Sequence, residues 1–133
     1  MNIEVSQEQG NLPVTVFRIE GRINMSNTEE LQNLAQQYYQ DGMQNLVLDL
    51  QEVPSLTSAA LRTILSIYKM LTIEEPSDSS EEFGVSSAAG NRPKSDHLKL
   101  ANPSDYVLKV LQTAGFDRYL EIYDSVPDAI ASY

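Results

Sequence analysis

The run Leu46-Val47-Leu48-Asp49-Leu50, followed by Pro54-Ser55-Leu56-Thr57-Ser58 and by Ala59-Ala60-Leu61 on to Tyr68-Lys69, decides how the rest of the chain is read. Its first part is nearly continuously apolar, as a central strand covered on both faces must be. Leu61, Ile64, Leu65 and Tyr68 then fall at i, i+3, i+4 and i+7, one face of a helix. Between strand and helix stand two hydroxyls, Thr57 and Ser58. Either can cap the helix by accepting a backbone N–H. Either can instead accept a phosphate, because a helix N-terminus tolerates an added dianion. No acid follows at capping-box distance, where Ala60 and Leu61 stand, and small Ala59 and Ala60 keep the surface around Ser58 open. The residues alone leave both roles open.

Outward from this unit, strand and helix patterns alternate. Ile3 to Gln7 and Val14 to Glu20 read as strands joined through the turn-prone Gly10-Asn11. Ser26-Asn27-Thr28-Glu29 has capping-box spacing, with Ser26 as N-cap. Leu31, Leu34, Ala35 and Tyr38 stripe the helix that follows, and Gly42 suits its C-terminal cap. Downstream, Leu98-Lys99-Leu100 reads as a strand running into Asn102-Pro103-Ser104-Asp105, read as Asn cap, Pro at the first helical position and acid in the first turn. Val107, Val110, Leu111 and Ala114 give that helix its apolar face, and Gly115 ends it. Leu120 to Tyr123 reads as a last strand; Val126, Ala129, Ile130 and Tyr133 stripe a final helix. The expectation is an α/β fold with a mixed, mostly parallel sheet of about five strands and about four helices.

The segment 72–96 departs from this rhythm. It is rich in Ser, Glu, Asp and Gly, and Glu74 to Glu82 is its most acidic part. Such composition buries too little surface to offset its ordering entropy, so it reads as a mobile acidic loop inserted in one domain spanning 1–133. A partner-binding or regulatory role for it is the other reading.

At 133 residues the chain can bury a real core without metals or disulfides. It has no cysteine, which removes disulfide frameworks and cysteine-based zinc or redox chemistry. Nine basic residues against nineteen acidic ones give a net charge of −10, the wrong sign for neutralising the phosphates of nucleic acid or an anionic membrane surface. A protein partner with a basic surface fits that charge better, unless the charge serves only solubility. With no signal-peptide pattern and no stretch approaching the ~20 apolar residues of a membrane span, the chain reads as cytoplasmic.

Catalytic chemistry is hard to assemble. His97 is the single histidine and has no second His or Cys with which to share a metal. No phosphate-cradling glycine motif appears among the six glycines. Adjacent acids such as Glu29-Glu30 and Glu81-Glu82 suit solvation, and Tyr38, Tyr68 and Tyr133 fall on core faces. The expectation is a binding protein without cofactor, not an enzyme.

The ordered series of motifs resembles the STAS domain family, and within it the bacterial anti-sigma factor antagonists. Those proteins carry an apolar strand ending in Asp-Leu or Asn-Leu, a D-S-[ST]-G-L-G turn and a helix continuing to Tyr-Lys. Here the corresponding stretches are Leu46 to Leu50, Thr57-Ser58-Ala59-Ala60-Leu61-Arg62 and Tyr68-Lys69. Gly21-Arg22-Ile23-Asn24-Met25-Ser26 is similar to the family's strand end before its first helix. The C-terminal part from Leu98 to Ile130 is similar to the closing strand, helix, strand and helix. The resemblance implies phosphorylation at Ser58 and a partner-binding surface of Asn24, Ser26, Thr57, Ser58 and Arg62. It implies as partners an anti-sigma factor that is also a serine kinase, a histidine-kinase-like (GHKL-type) ATPase, and a PP2C-type phosphatase. The chain departs from the pattern at Thr57 and Asn24, where the family has acids, and at Ala60 and Arg62, where it has glycines. A constitutive scaffold module without a phosphoswitch is the alternative those departures favour. An accessory role beside a membrane transporter is a third.

Overall fold

The computed structural model describes residues 2–72 and 97–133. A hairpin opens the fold: β1 (Asn2–Gln9) pairs antiparallel with β2 (Pro13–Glu20). Then follow α1 (Thr28–Gln40), β3 (Leu46–Glu52), α2 (Ser58–Thr72), β4 (Leu98–Ala101), α3 (Asp105–Thr113), a 3-10 turn at Phe116–Arg118, β5 (Glu121–Tyr123) and α4 (Val126–Ala131). The sheet runs β1-β2-β3-β4-β5, with β2 to β5 mutually parallel. The expected mixed sheet and four helices are therefore present among the described residues.

Three crossovers, through α1, α2 and α3, each advance one strand in the same direction. Crossovers of one hand must then put all three helices on the same face. The core follows from this. Phe17, Ile19, Leu46, Leu48, Leu50, Leu98 and Leu100 point to that face and meet Leu31 and Ala35 of α1, Ala60, Ile64 and Ile67 of α2, and Val107 and Leu111 of α3. Burying one such aliphatic side chain contributes about 1.5–3 kcal/mol. The alternate residues Val14, Val16, Val47 and Ala101 point the other way, under Ala129 of α4. β3 is covered on both sides: Leu46, Leu48 and Leu50 face the three helices, while Val47 and the buried Asp49 lie on the other side.

The short α4 is held largely through side chains. Lys99, 4% exposed, donates from Nζ to Ser132 Oγ (2.8 Å) and to the Ser132 carbonyl (3.3 Å) at the helix C-terminus. The amine also lies 3.4 Å from the Glu121 carboxylate and 4.4 Å from the centroid of the Tyr133 ring. The Tyr133 hydroxyl in turn sits 2.8 Å from the His97 carbonyl and 3.0 Å from that of Leu46. Burial, with lesser contributions from Tyr123 and Glu121, raises the Tyr133 pKa well above its ordinary value. Gly10 lets the hairpin turn approach α4; a Cβ there would meet Ile130 Cγ2 at 2.8 Å. His97 Nδ1 lies 3.3 Å from Asn45 Oδ1.

Several local expectations shift. Ser26 does not cap α1: the cap position is Asn27, whose side chain makes no capping bond, and Glu29 is only the second helical residue. Asn102 does not cap α3, because it is left-handed (φ 58°) and turns its amide to Asp49 Oδ1 at 3.3 Å. Ser104, extended, does so instead, accepting from the Val107 N–H at 3.2 Å. The buried line of α2 runs through Ala60, Ile64, Ile67, Tyr68 and Leu71, with Leu61 and Leu65 at its margin. Ala114, expected on the buried face of α3, is exposed. The expected acidic loop at 72–96, Thr72 aside, lies outside the described residues.

Candidate functional site

Parallel strands β2 and β3 end side by side, and the segments that leave them make one surface. After β2 the chain turns at residues 21–27 into α1; after β3 it turns at 53–57 into α2. Two contacts fasten these segments together. Ile23 and Leu56 form an isolated parallel bridge. Thr57 Oγ1 donates to the Ile23 carbonyl at 3.0 Å.

The β2–α1 segment is ordered by short polar side chains, as Asn and Ser order turns by bonding nearby backbone. Asn24 Oδ1 accepts from the Ser26 N–H (3.0 Å) and from the Ser26 hydroxyl (2.6 Å). Asn27 Oδ1 accepts from the Asn24 N–H at 2.8 Å, and Asn27 Nδ2 donates to the Arg22 carbonyl at 2.9 Å. Asn24 Oδ1 and the Ser26 hydroxyl are thus bonded to each other within the loop. The large apolar side chain the loop offers outward is Met25, 86% exposed, beside exposed Arg22 and Ser26. Sequence reasoning missed this residue. Its only signal is a large apolar side chain in a polar segment that belongs to no helical or strand period.

At the head of α2 the two hydroxyls have different tasks. Thr57 Oγ1 accepts from the Ala60 N–H at 3.1 Å while donating to Ile23, so Thr57 is both the cap and the tie between the loops. Ser58 is the first helical residue; its side chain is exposed and its hydroxyl makes no hydrogen bond among the described residues. Arg62, one turn on, is exposed as well, without an ion pair among the described residues. Ser58, Arg62, Ser66 and Lys69 are the exposed positions along α2, a helix that contains no acid. Across residues 21–26 and 54–62 the charged side chains are Arg22 and Arg62, both cations, in a chain of net charge −10.

The geometry therefore brings the two loops, Thr57 and Ser58 together, with Arg62 four residues along the helix. No group of three or more His, Cys, Asp or Glu suited to a metal occurs among the described residues. No described helix is long and apolar enough to cross a membrane.

A family model for the STAS domain matches residues 2–74. The chain belongs to the STAS domain family. Solved structures share the fold beyond the matched region. An anti-sigma factor antagonist from Mycobacterium paratuberculosis superposes with a TM-score of 0.71 at 19% identity, over 98% of this chain and 93% of that one. The anti-sigma factor antagonist SpoIIAA in its unphosphorylated form gives 0.59 at 12% identity, over 96% and 92%. The Bacillus cell fate determinant SpoIIAA in its phosphorylated form gives 0.61 at 14% identity, over 97% and 96%. At these identities the likeness establishes the fold. No curated protein matches the chain in sequence.

Proposed function

We propose that this chain is a regulatory binding protein of the anti-sigma factor antagonist kind, a single STAS unit that acts in the cytoplasm without catalysing a reaction. It binds an anti-sigma factor that is also a serine kinase, and binding ends when that kinase phosphorylates Ser58. One observation carries this reading: Thr57 does the capping, which leaves Ser58 exposed, its hydroxyl bonded to nothing among the described residues. That SpoIIAA, a protein of the same fold, exists in phosphorylated and unphosphorylated forms supports it.

In the transfer, Ser58 Oγ attacks the γ-phosphorus of ATP. The new O–P bond forms as the bond to the bridging oxygen breaks, ADP leaves with that electron pair, and the hydroxyl proton passes to a base of the kinase. The dianion then stands in the middle of the partner surface, comprising Asn24, Ser26, Thr57, Ser58 and Arg62, to which exposed Met25 adds an apolar contact. Charge repulsion and desolvation there disfavour the complex. The helix N-terminus limits the cost to the fold itself. A PP2C-type phosphatase reverses the modification. Incubation with the partner kinase and ATP, followed by phosphosite mapping by mass spectrometry, is expected to place one phosphate on Ser58 and none on Ser58→Ala. A phosphate elsewhere, or none, contradicts the switch.

The constitutive scaffold is the second reading, favoured by Thr57 and Asn24, whose side chains are engaged in hydrogen bonds within the fold. In that reading the partner binds whatever the state of Ser58.

A further inference from the structure

We infer that Arg62 is the built-in counter-ion of a phosphate on Ser58, so that modification adds an anion and withdraws a cation from the partner surface in one step. This rests on the reading of Ser58 as the modified residue, and it specifies how that site is regulated. Ser58 and Arg62 stand at i and i+4 on a regular helix, which sets their Cβ atoms about 5–6 Å apart on one face. An anion on the N-terminal side of a cation at this spacing is the favourable orientation. Both side chains are exposed and neither has a competing partner among the described residues. The next cation on the same face, Lys69, is seven residues beyond Arg62 and out of reach of Ser58. Guanidinium is also the cation whose planar fork matches phosphate oxygens two at a time.

Before modification Arg62 has no ion pair among the described residues and stands on a helix without acids, available to a carboxylate of the partner. After modification the phosphate is the nearer anion and the cheaper one to engage, since the contact is intramolecular. The two changes act in the same direction, against the complex.

The test uses the full chain with phosphoserine installed at position 58 during translation, in the wild-type, Arg62→Gln and Arg62→Lys backgrounds. Phosphorus NMR follows the second ionisation of the phosphate with pH, which lies near ~6 in a free phosphoserine. Arg62 favours the dianion, so the phosphate of the wild-type background is expected to bind its last proton roughly 1.5- to twofold more weakly than that of Arg62→Gln. Arg62→Lys should keep most of the effect, and about 1 M salt should remove it. The helix N-terminus, Arg22, and the acids Glu29 and Glu30 at the start of α1 are common to all backgrounds and cancel in the comparison. Coincident titration curves for wild type and Arg62→Gln overturn the inference, as does a difference that persists in high salt or that Arg62→Lys abolishes. Because the phosphate does not come from a kinase, the result is independent of whether any kinase modifies Ser58. A missing Arg62 effect likewise leaves the phosphosite mapping standing.

Discussion

Thr57 and Ser58 are neighbouring hydroxyls whose substitution should have opposite signatures. Thr57 satisfies the Ala60 N–H and ties α2 to the β2–α1 loop through Ile23. Thr57→Ala removes both bonds and is expected to destabilise the fold by about 1–2 kcal/mol in denaturant melts, while Thr57→Ser keeps both. Ser58→Ala removes a hydroxyl that bonds nothing among the described residues, so its melt should stay within ~0.5 kcal/mol of the parent. A large loss for Ser58→Ala would make Ser58 a structural residue. The sequence could not separate the two, because either hydroxyl reaches the same helix end. What separates them is a long-range contact: Ile23, thirty-four residues earlier in the chain, supplies the carbonyl that orients Thr57. Asn24 and Ser26 teach the same lesson. Their side chains answer each other across two residues, so the capping-box spacing from Ser26 to Glu29 was a coincidence of composition.

At the scale of elements, the least autonomous one is α4. Six residues make no stable helix in isolation. It persists because Lys99 binds its C-terminal carbonyl and the Tyr133 hydroxyl reaches the carbonyls of Leu46 and His97 on β3 and its border with β4. Tyr133 therefore links stability to pH. Its folded pKa is raised, chiefly by burial, above the value of 10.0 taken for an unfolded tyrosine. The stabilisation is intact below about pH 10, where the residue is neutral in both states. Above it, the unfolded chain ionises while the folded one resists, so stability should fall as pH rises. Tyr133→Phe should cost about 1 kcal/mol at neutral pH and flatten this alkaline decline. An unchanged alkaline slope in urea melts would remove Tyr133 from the explanation. The repeat of strand and helix was legible because each element buries an alternate or 3.6-period stripe. The α4 clamp was not, since Lys99 sits in a strand whose neighbours in sequence are apolar and its partners lie about thirty residues downstream.

For the molecule as a whole, the layers follow from connectivity. One-strand steps of one hand force three helices to one face and leave α4 to cover the other. Charge is the property that changes meaning with scale. The net −10 suggested a partner with a basic surface, yet α2 and the two loops at its head carry only Arg22, Arg62 and Lys69. The partner patch facing Ser58 should therefore be acidic with an apolar recess for Met25, whatever the charge of the rest of the partner. The candidate residues were singled out in sequence by the order of motifs, while the exposure of Met25, and a Ser58 hydroxyl that bonds nothing among the described residues, needed three dimensions. In the proposed function the state of Ser58 governs the complex. Its most direct test is the affinity of one anti-sigma factor kinase, with nucleotide absent so that no transfer occurs, for the unmodified chain, for Ser58→Ala and for the chain carrying phosphoserine at 58. Unmodified protein and Ser58→Ala should bind within about threefold of each other, and the phosphorylated form should bind at least about tenfold more weakly, ~1.4 kcal/mol. Equal affinity of all three forms would contradict the switch and leave a constitutive scaffold.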